Sequence, residues 1–432
     1  MIVIRTAELA RIRPVACLIG LSGRLIHDLF ALQGFFLFGI PNKAVEARYW
    51  KALPLGKFSL VSLLVLLATV TISTIGSAQV SRNSQRPVAD LQFRSIRLGG
   101  YVDLELFHDS NRFEFKNHRL VPMIDATVSE SVHFACEIEI EYGGPQVASG
   151  DGEIKVEYAH VDVEMGDWKF RSGAILVPLG ATNLYHDSPM RDLTNRPLVA
   201  RTIVPSTLTS AGVGGLWGAD DGSWSLQVYA LNGFNGEDGT GGYNFDSSSG
   251  VRSAAPSLKF NGDRSPSLCG RMTYSPVLGT EFGFSTWNGP WDQAGDLDLT
   301  ITVFDLTTDL SLVVEALGPV ELQIEVGEVD IEIDESAEVG GVPERLVASS
   351  MQFSRRFFPA AIEKLFGDES SCGLTFRLEQ EDLSADVKNR STIGFNIRPT
   401  EETVLKFDFE RERIENQQDP DGTFIFSVAT YF

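Results

Sequence analysis

The chain alternates. Over Thr423 to Phe432, the residues Phe424, Phe426, Val428, Thr430 and Phe432 share one parity, and Ile425, Ser427, Ala429 and Tyr431 share the other. Successive side chains of a strand point to opposite faces, so a period of two marks a strand between two environments. The pattern recurs. Val102, Leu104 and Leu106 alternate with Tyr101, Asp103 and Glu105; Ile138 and Ile140 alternate with Glu137, Glu139 and Glu141. Leu297, Leu299, Ile301 and Val303 alternate with Asp298, Thr300 and Thr302. Segments apolar on one face and charged on the other are how a transmembrane barrel escapes a hydropathy scan. The 43% of hydrophobic residues are dispersed accordingly rather than gathered into long runs across the chain.

One stretch departs from this. Phe58 to Val70 is continuously apolar or small, preceded by Arg48, Lys51 and Lys57 and followed by Gly76-Ser77-Ala78. A basic flank, an apolar core and a small-x-small site are the order of a secretory signal, which places cleavage after Ala78. An uncleaved membrane anchor is the competing reading, because the apolar stretch can be extended to Ile75. Leu29 to Ile40 is also apolar, so residues 1–78 form either a long leader with its signal or a signal whose translation starts downstream. Gln79 to Asp90, with Pro87, is polar, and residues 79–95 read as a short lead-in to a barrel over 96–432.

Along the rest of the chain, strands are expected at Ile96–Phe107, Ala135–Glu141, Glu153–Glu164 and Trp168–Val177. The third switches parity between Tyr158 and Val161, which predicts a bulge near Ala159. Ala181 to Leu208 has no period and contains Pro189, Pro197 and Pro205, so it reads as a long functional loop. Ala211 to Gly218 contains a Gly-x-Gly with no helix after it, which favours close backbone approach in a wall over a nucleotide site. Further strands are expected at Trp224–Leu231, Ser257–Phe260, Leu268–Ser275, Thr280–Trp287, Leu297–Val303, Leu310–Leu317, Val320–Asp334, Leu374–Glu379, Thr392–Ile397, Thr403–Glu410 and Phe424–Phe432. Ala360 to Phe366 reads as one or two helical turns after Pro359. Short turns alternate with longer polar loops, the rhythm of an outer-membrane barrel. Removing residues 1–78 leaves 432 − 78 = 354. At about 22 residues per strand and connection this gives about 16 strands. The expected fold class is therefore all-β: a transmembrane antiparallel β-barrel of about 16 strands after a cleaved signal.

In Val320 to Asp334, Leu322, Ile324 and Val326 share a parity, whereas after Gly327 the apolar residues are Val329, Ile331 and Ile333. A hairpin at Gly327 would leave strands too short to cross a membrane. A bulge there keeps one face apolar and gathers Glu321, Gln323, Glu325, Glu328, Asp330, Glu332 and Asp334 on the other. Glu321, Glu325, Glu328, Asp330 and Glu332, with Asp103, Glu105, Glu137 and Glu139 on other strands, are the candidate pore lining. Clustered carboxylates in a low-dielectric-walled passage concentrate cations. Acids neutralised above the membrane are the alternative. Arg191, Arg196 and Arg201 are the candidate basic side chains of a constriction loop, set against a solvated surface loop as the other reading.

Catalytic patterns are lacking. The sequence has no Gly-x-Ser-x-Gly and no His-Glu-x-x-His. His186-Asp187-Ser188 places three triad residue types side by side, but neighbours on an extended chain point apart. Cys17, Cys136, Cys269 and Cys372 form no Cys-x-x-Cys pair and lie near no His at metal spacing, so no metal or cofactor is expected. The net charge is −22. Removing residues 1–78, with 8 basic and 3 acidic residues, leaves (36 − 8) − (58 − 3) = −27. Such a surface repels phosphates and argues against a nucleic-acid partner.

Several segments together carry a resemblance. They are Gly173 to Gly180 (Gly-Ala-Ile-Leu-Val-Pro-Leu-Gly) with Asn183, Ile203-Val204-Pro205-Ser206-Thr207 with Ala211-Gly212-Val213-Gly214, and Leu231-Asn232-Gly233. Gly394-Phe395-Asn396-Ile397-Arg398-Pro399-Thr400, Thr403-Val404-Leu405-Lys406 and the terminal Phe432 complete the series. In this order they resemble the phosphate-selective porin O and P family of outer-membrane channels. The resemblance implies a barrel in the outer membrane of a Gram-negative-type bacterium, set in outer-membrane lipid and often assembled as a homotrimer. It implies passage of small solutes or ions, and a terminal Phe432 read by the barrel-assembly machinery. The charge departs from the family, whose phosphate-selective members line the pore with basic side chains. The expectation is thus a passive, cation-preferring porin, with an anion- or phosphate-selective porin or a barrel enzyme as alternatives.

Overall fold

The computed structural model describes residues 95–145, 152–259, 265–312, 314–384, 387–415 and 422–432. The leader, the signal with its cleavage site after Ala78, and the lead-in up to residue 94 lie outside the described residues. Sixteen strands follow in order: β1 (Ser95–His108), β2 (Phe113–Thr127), β3 (Val132–Glu141), β4 (Glu153–Met165), β5 (Trp168–Leu176), β6 (Thr209–Gly218), β7 (Trp224–Leu231) and β8 (Ser267–Val277). Then come β9 (Thr280–Pro290), β10 (Asp298–Asp309), β11 (Val320–Ile331), β12 (Arg345–Phe357), β13 (Ser371–Asp382), β14 (Val387–Arg398), β15 (Thr403–Ile414) and β16 (Thr423–Tyr431). Each pairs antiparallel with its sequence neighbours, and β1 pairs with β16, so the sheet closes on itself. Closure removes every sheet edge, which is the condition for strands to cross hydrocarbon. The expected sixteen-stranded barrel is the fold observed.

Parity fixes the two faces. On β1, Tyr101, Asp103, Glu105 and Phe107 are buried inside the barrel while Leu104 faces out. On β16, Ile425, Ser427 and Ala429 are buried and Phe424 faces out. Phe304, Val326, Met351, Phe376, Ile393 and Phe409 extend the exposed apolar exterior around the wall. Near one rim Trp168 stands opposite Trp217 across β5 and β6, and Trp224 stacks on Tyr274 with ring centroids 4.3 Å apart. Aromatic residues at that level are what an interfacial girdle requires. The connections at this rim include the tight turns 166–167 and 278–279. The other rim carries residues 142–145, 177–208, 232–259 and 332–344.

Several expected boundaries move. Strands β2 and β12 carry no clean alternation and are absent from the expected set: β2 holds Pro122 and skips His118 in its pairing with β1, and β12 holds Ser349 among its outward residues. Leu310 to Leu317 is not a strand but two short 3-10 turns, at Leu310–Leu312 and Glu315–Leu317. Of Ser257 to Phe260, residues 257–259 belong to the connection after β7 and Phe260 lies outside the described residues. The parity switch on β4 is a bulge near Ala159 as expected, with Glu157 the extra residue. The short helix Ala360–Phe366 is present where expected.

The largest correction concerns β11. Its register against β10 and β12 runs unbroken through Gly327, so there is no bulge. Parity therefore continues straight: Glu321, Gln323, Glu325, Gly327, Val329 and Ile331 share the inward face, and Glu328 and Asp330 lie on the outer face. The apolar residues change sides because the interior changes. A Cβ on Gly327 would stand 2.7 Å from Ile203 Cγ2 and 3.1 Å from Val199 Cγ2. Near the long-loop rim the inner surface meets packed apolar chain, not water.

Candidate functional site

Residues 177–208 fold into the barrel. Two four-residue helices punctuate them, α1 (Ala181–Leu184) and α2 (Val199–Thr202). Asn183, fully buried on α1, joins the two ends of the loop: its Nδ2 donates to the Val177 carbonyl at 2.7 Å, and its Oδ1 accepts from the Leu208 N–H at 2.9 Å. Val177, Leu179, Val199, Ile203, Val204 and Leu208 are buried in an apolar cluster with Trp287, Val303 and Val329 of the wall. Burying each such side chain stabilises the inserted loop by about 1.5–3 kcal/mol.

The opposite side of the loop is polar and docks across the lumen. The Thr194 N–H donates to Asp408 Oδ2 at 2.6 Å, and the Thr194 and Ser427 hydroxyls lie 2.8 Å apart. The Leu198 N–H donates to Glu379 Oε1 at 2.7 Å. Arg390 donates to the Arg196 carbonyl at 2.7 Å, Arg398 to the Pro189 carbonyl at 2.8 Å, and Lys406 to the Ser188 carbonyl at 2.6 Å. The Tyr431 hydroxyl donates to Asp187 Oδ2 at 2.7 Å. Irregular backbone inside a barrel needs such partners, because its own N–H and C=O groups have no ladder. The loop thus spans from β11 to β13–β16 and narrows the interior.

Of the acids singled out in the sequence, Asp103, Glu105, Glu137, Glu139 and Glu325 are buried inside the barrel. Glu139 pairs with Arg119 at 2.8 Å. Glu321 faces inward and is exposed. Glu328 and Asp330 do not join them: they face outward because the β11 register is unbroken, and Glu328 pairs there with Arg345 at 2.6 Å. Glu332 lies past the end of β11, exposed at the rim, where its Oε2 accepts from the Asp298 N–H at 3.1 Å. Among the loop arginines, Arg191 and Arg196 are partly buried inside and brace the loop through the Thr194 and Ser206 carbonyls, both at 2.6 Å. Burial, with the Arg119 and Arg191 guanidinium groups beside it, lowers the Arg196 pKa to about 10, which keeps it charged at neutral pH. Arg201 is exposed on α2. Phe432 faces out, and its N–H donates to the Gly100 carbonyl at 2.9 Å.

The charged wall of β13–β15, with Arg377, Glu379, Arg390, Arg398, Lys406 and Asp408, was missed. Its signal was available in Lys406 and Asp408, which alternate with Leu405, Phe407 and Phe409. The triad residue types part company: the loop is not extended, so His186 Nε2 comes within 3.5 Å of Asp187 Oδ1, while Ser188 turns to Lys406. Cys136, Cys269 and Cys372 are buried on strands and unbridged.

Beneath the loop lies a cavity of about 700 Å³. Glu281, Asp309, Glu321 and Glu325 line it from β9–β11, and Arg355 and Arg377 from β12 and β13, with Arg191 of the loop between. Separated carboxylates and guanidinium groups set up a transverse field across the space.

No protein-family model matches the chain. An uncharacterized protein of Aquifex aeolicus (strain VF5) is 30% identical over 152 residues, 34% of this chain and 34% of its own length. The match thus spans about a third of that relative. Among solved structures, the outer membrane channel DcaP of Acinetobacter baumannii superposes with a TM-score of 0.52 at 12% identity, covering 78% of this chain and 97% of that one. The anion-selective porin from Comamonas acidovorans gives 0.51 at 12%, covering 78% and 99%. Salmonella typhi OmpF, in complex with daunomycin, gives 0.51 at 8%, covering 78% and 97%. At these identities the likeness is one of fold, and that fold is the sixteen-stranded barrel of the outer-membrane porins.

Proposed function

We propose that this chain is an outer-membrane porin of a Gram-negative-type bacterium through which small solutes or ions diffuse passively, with a preference for cations. The supporting observation is the loop 177–208 folded into a closed barrel above a cavity with carboxylates on its β9–β11 wall. A fixed constriction with a transverse field sorts solutes by size and charge without a chemical step. Glu281, Asp309, Glu321 and Glu325 carry the cation preference, and Arg191 and Arg377 face them. Assembly as a homotrimer and recognition of Phe432 by the barrel-assembly machinery belong to the same proposal.

A second reading is the anion- or phosphate-selective channel of the porin O and P family. The basic side chains Arg377, Arg390, Arg398 and Lys406 on β13–β15 favour it. Refolded protein in a planar bilayer separates the two. Discrete conductance steps are expected, with a reversal potential of cation sign across a salt gradient, and deletion of residues 183–206 raises the step size several-fold. Anion sign overturns the preference in favour of the second reading, and the absence of steps overturns the channel. Chemical cross-linking of detergent-extracted protein tests the trimer.

A further inference from the structure

A second cluster lies at the opposite side of the lumen from the acids of the cavity. Glu137 of β3, Glu157 of β4 and His186 of the loop offer ligand atoms within 4.8 Å of one another. The three residues are 2%, 0% and 1% exposed. Glu157 is the bulge residue of β4, left without a cross-strand partner between Tyr158 and Val156. A bulge re-aims a side chain, and here it brings a second carboxylate beside Glu137 on the lumen face.

His186 has a defined tautomer. Its Nδ1 lies 2.9 Å from the Asn183 carbonyl oxygen. A carbonyl only accepts, so Nδ1 carries the hydrogen. Nε2 then faces Glu157 Oε2 at 3.2 Å, Asp187 Oδ1 at 3.5 Å and Glu137 Oε1 at 4.0 Å. An imidazole lone pair among carboxylate oxygens is repelled unless a proton or a cation stands between them. The outer partners are in place as well. Glu157 Oε1 accepts from the Thr207 hydroxyl at 2.8 Å, and Asp187 Oδ2 from Tyr431 at 2.7 Å, which leaves the other oxygen of each turned to the centre. Glu137 Oε1 is buried with no hydrogen-bond partner. The nearby bases are directed elsewhere: Lys155 Nζ donates to the Thr207 carbonyl and Arg196 Nη1 to the Ser206 carbonyl.

We propose that Glu137, Glu157 and His186, completed by Asp187, bind one divalent transition-metal cation of the Zn²⁺ type, and that this ion clamps the constriction loop to β3 and β4. Mixed imidazole and carboxylate ligands suit Zn²⁺. Tetrahedral bonds of that length hold neighbouring ligand atoms roughly 3.3 Å apart, and Nε2 stands 3.2, 3.5 and 4.0 Å from the three carboxylate oxygens. A ring N–H held by a backbone carbonyl is the usual outer-shell support of a metal-bound His. The cluster of Asp103, Glu105 and His118 differs. There both ring nitrogens face carboxylates, Nδ1 at 2.9 Å from Glu105 and Nε2 at 3.5 Å from Glu141, so neither is held by a backbone carbonyl as His186 Nδ1 is.

The test is titration of refolded, chelator-treated protein with ZnCl₂ by calorimetry, with elemental analysis after desalting. One Zn²⁺ per chain is expected. Glu137→Gln and His186→Gln bind at least tenfold more weakly, and His118→Gln binds as the unaltered chain does. Heat-modifiable migration checks the fold of each variant; His186→Gln, on the loop rather than the wall, keeps the test open where Glu137→Gln fails to assemble. Absence of stoichiometric uptake by folded protein overturns the site. Uptake unchanged in both folded variants, or preference for Ca²⁺ over Zn²⁺, also overturns it. None of these readouts depends on conductance, so they stand apart from the channel proposal.

Discussion

Glu325 Oε2 accepts two hydrogen bonds from Thr182, one from its backbone N–H at 2.9 Å and one from its hydroxyl at 2.8 Å. A single carboxyl group on β11 thereby holds the start of the constriction loop and stands beside the cavity. Glu325→Gln is expected to lower the cation preference read from reversal potentials. Glu328→Gln, three residues along but on the outer face, is expected to leave it unchanged. Equal shifts in the two variants would contradict the inward and outward assignment of β11.

Gly327 sits where wall and loop touch. Gly327→Val would drive a side chain into Ile203 and Val199. Overpacking of this kind costs about 1–3 kcal/mol. The expected result is a lower midpoint for the heat-induced mobility shift, with a changed single-channel conductance because the loop must move. A midpoint equal to that of the unaltered chain would mean that the loop is not packed against β11.

Glu379 holds three partners together. Its oxygens accept from Arg390 Nε at 2.7 Å and Nη2 at 2.9 Å, from the Leu198 N–H at 2.7 Å, and Arg377 Nε lies 3.0 Å away. Removing one member of a buried ion-pair network leaves uncompensated charge, at about 3–5 kcal/mol. Glu379→Ala should therefore unfold far more readily in urea, and Arg390→Met combined with Glu379→Leu should recover part of the loss. A single variant as stable as the parent would argue that water reaches these groups.

Phe432 closes the outward row of β16, and its N–H bonds to Gly100 of β1 at the seam. Deleting Phe432 is expected to reduce the amount of protein recovered in the outer-membrane fraction while export continues. Full recovery there would remove any assembly role for the last residue.

Much of the wall was legible because lipid and lumen impose opposite demands on alternate residues, as in Leu104 against Asp103 or Phe424 against Ile425. That rule fails where the interior is not water. Val329 and Ile331 point inward yet are apolar, since they pack on the loop, and the bulge inferred at Gly327 was the price of assuming a uniformly polar inside. Strand β2 was hidden by Pro122 and by the irregularity at His118. The loop itself stood out through its prolines and lack of period. Its partners did not, because Glu157, Glu379 and Asp408 lie far from it in sequence and only closure brings them within reach.

The docking of residues 177–208 also sets an order of events. The segment and its flanking strands β5 and β6 precede β13–β16 in the chain, so the acceptors and donors at Glu379, Arg390, Lys406 and Asp408 do not yet exist when the segment is made. Ser427 and Tyr431 come last, on the strand that joins β1. The polar contacts of the inner segment are therefore complete only when β16 has joined β1, so the seam and the segment share their last partners.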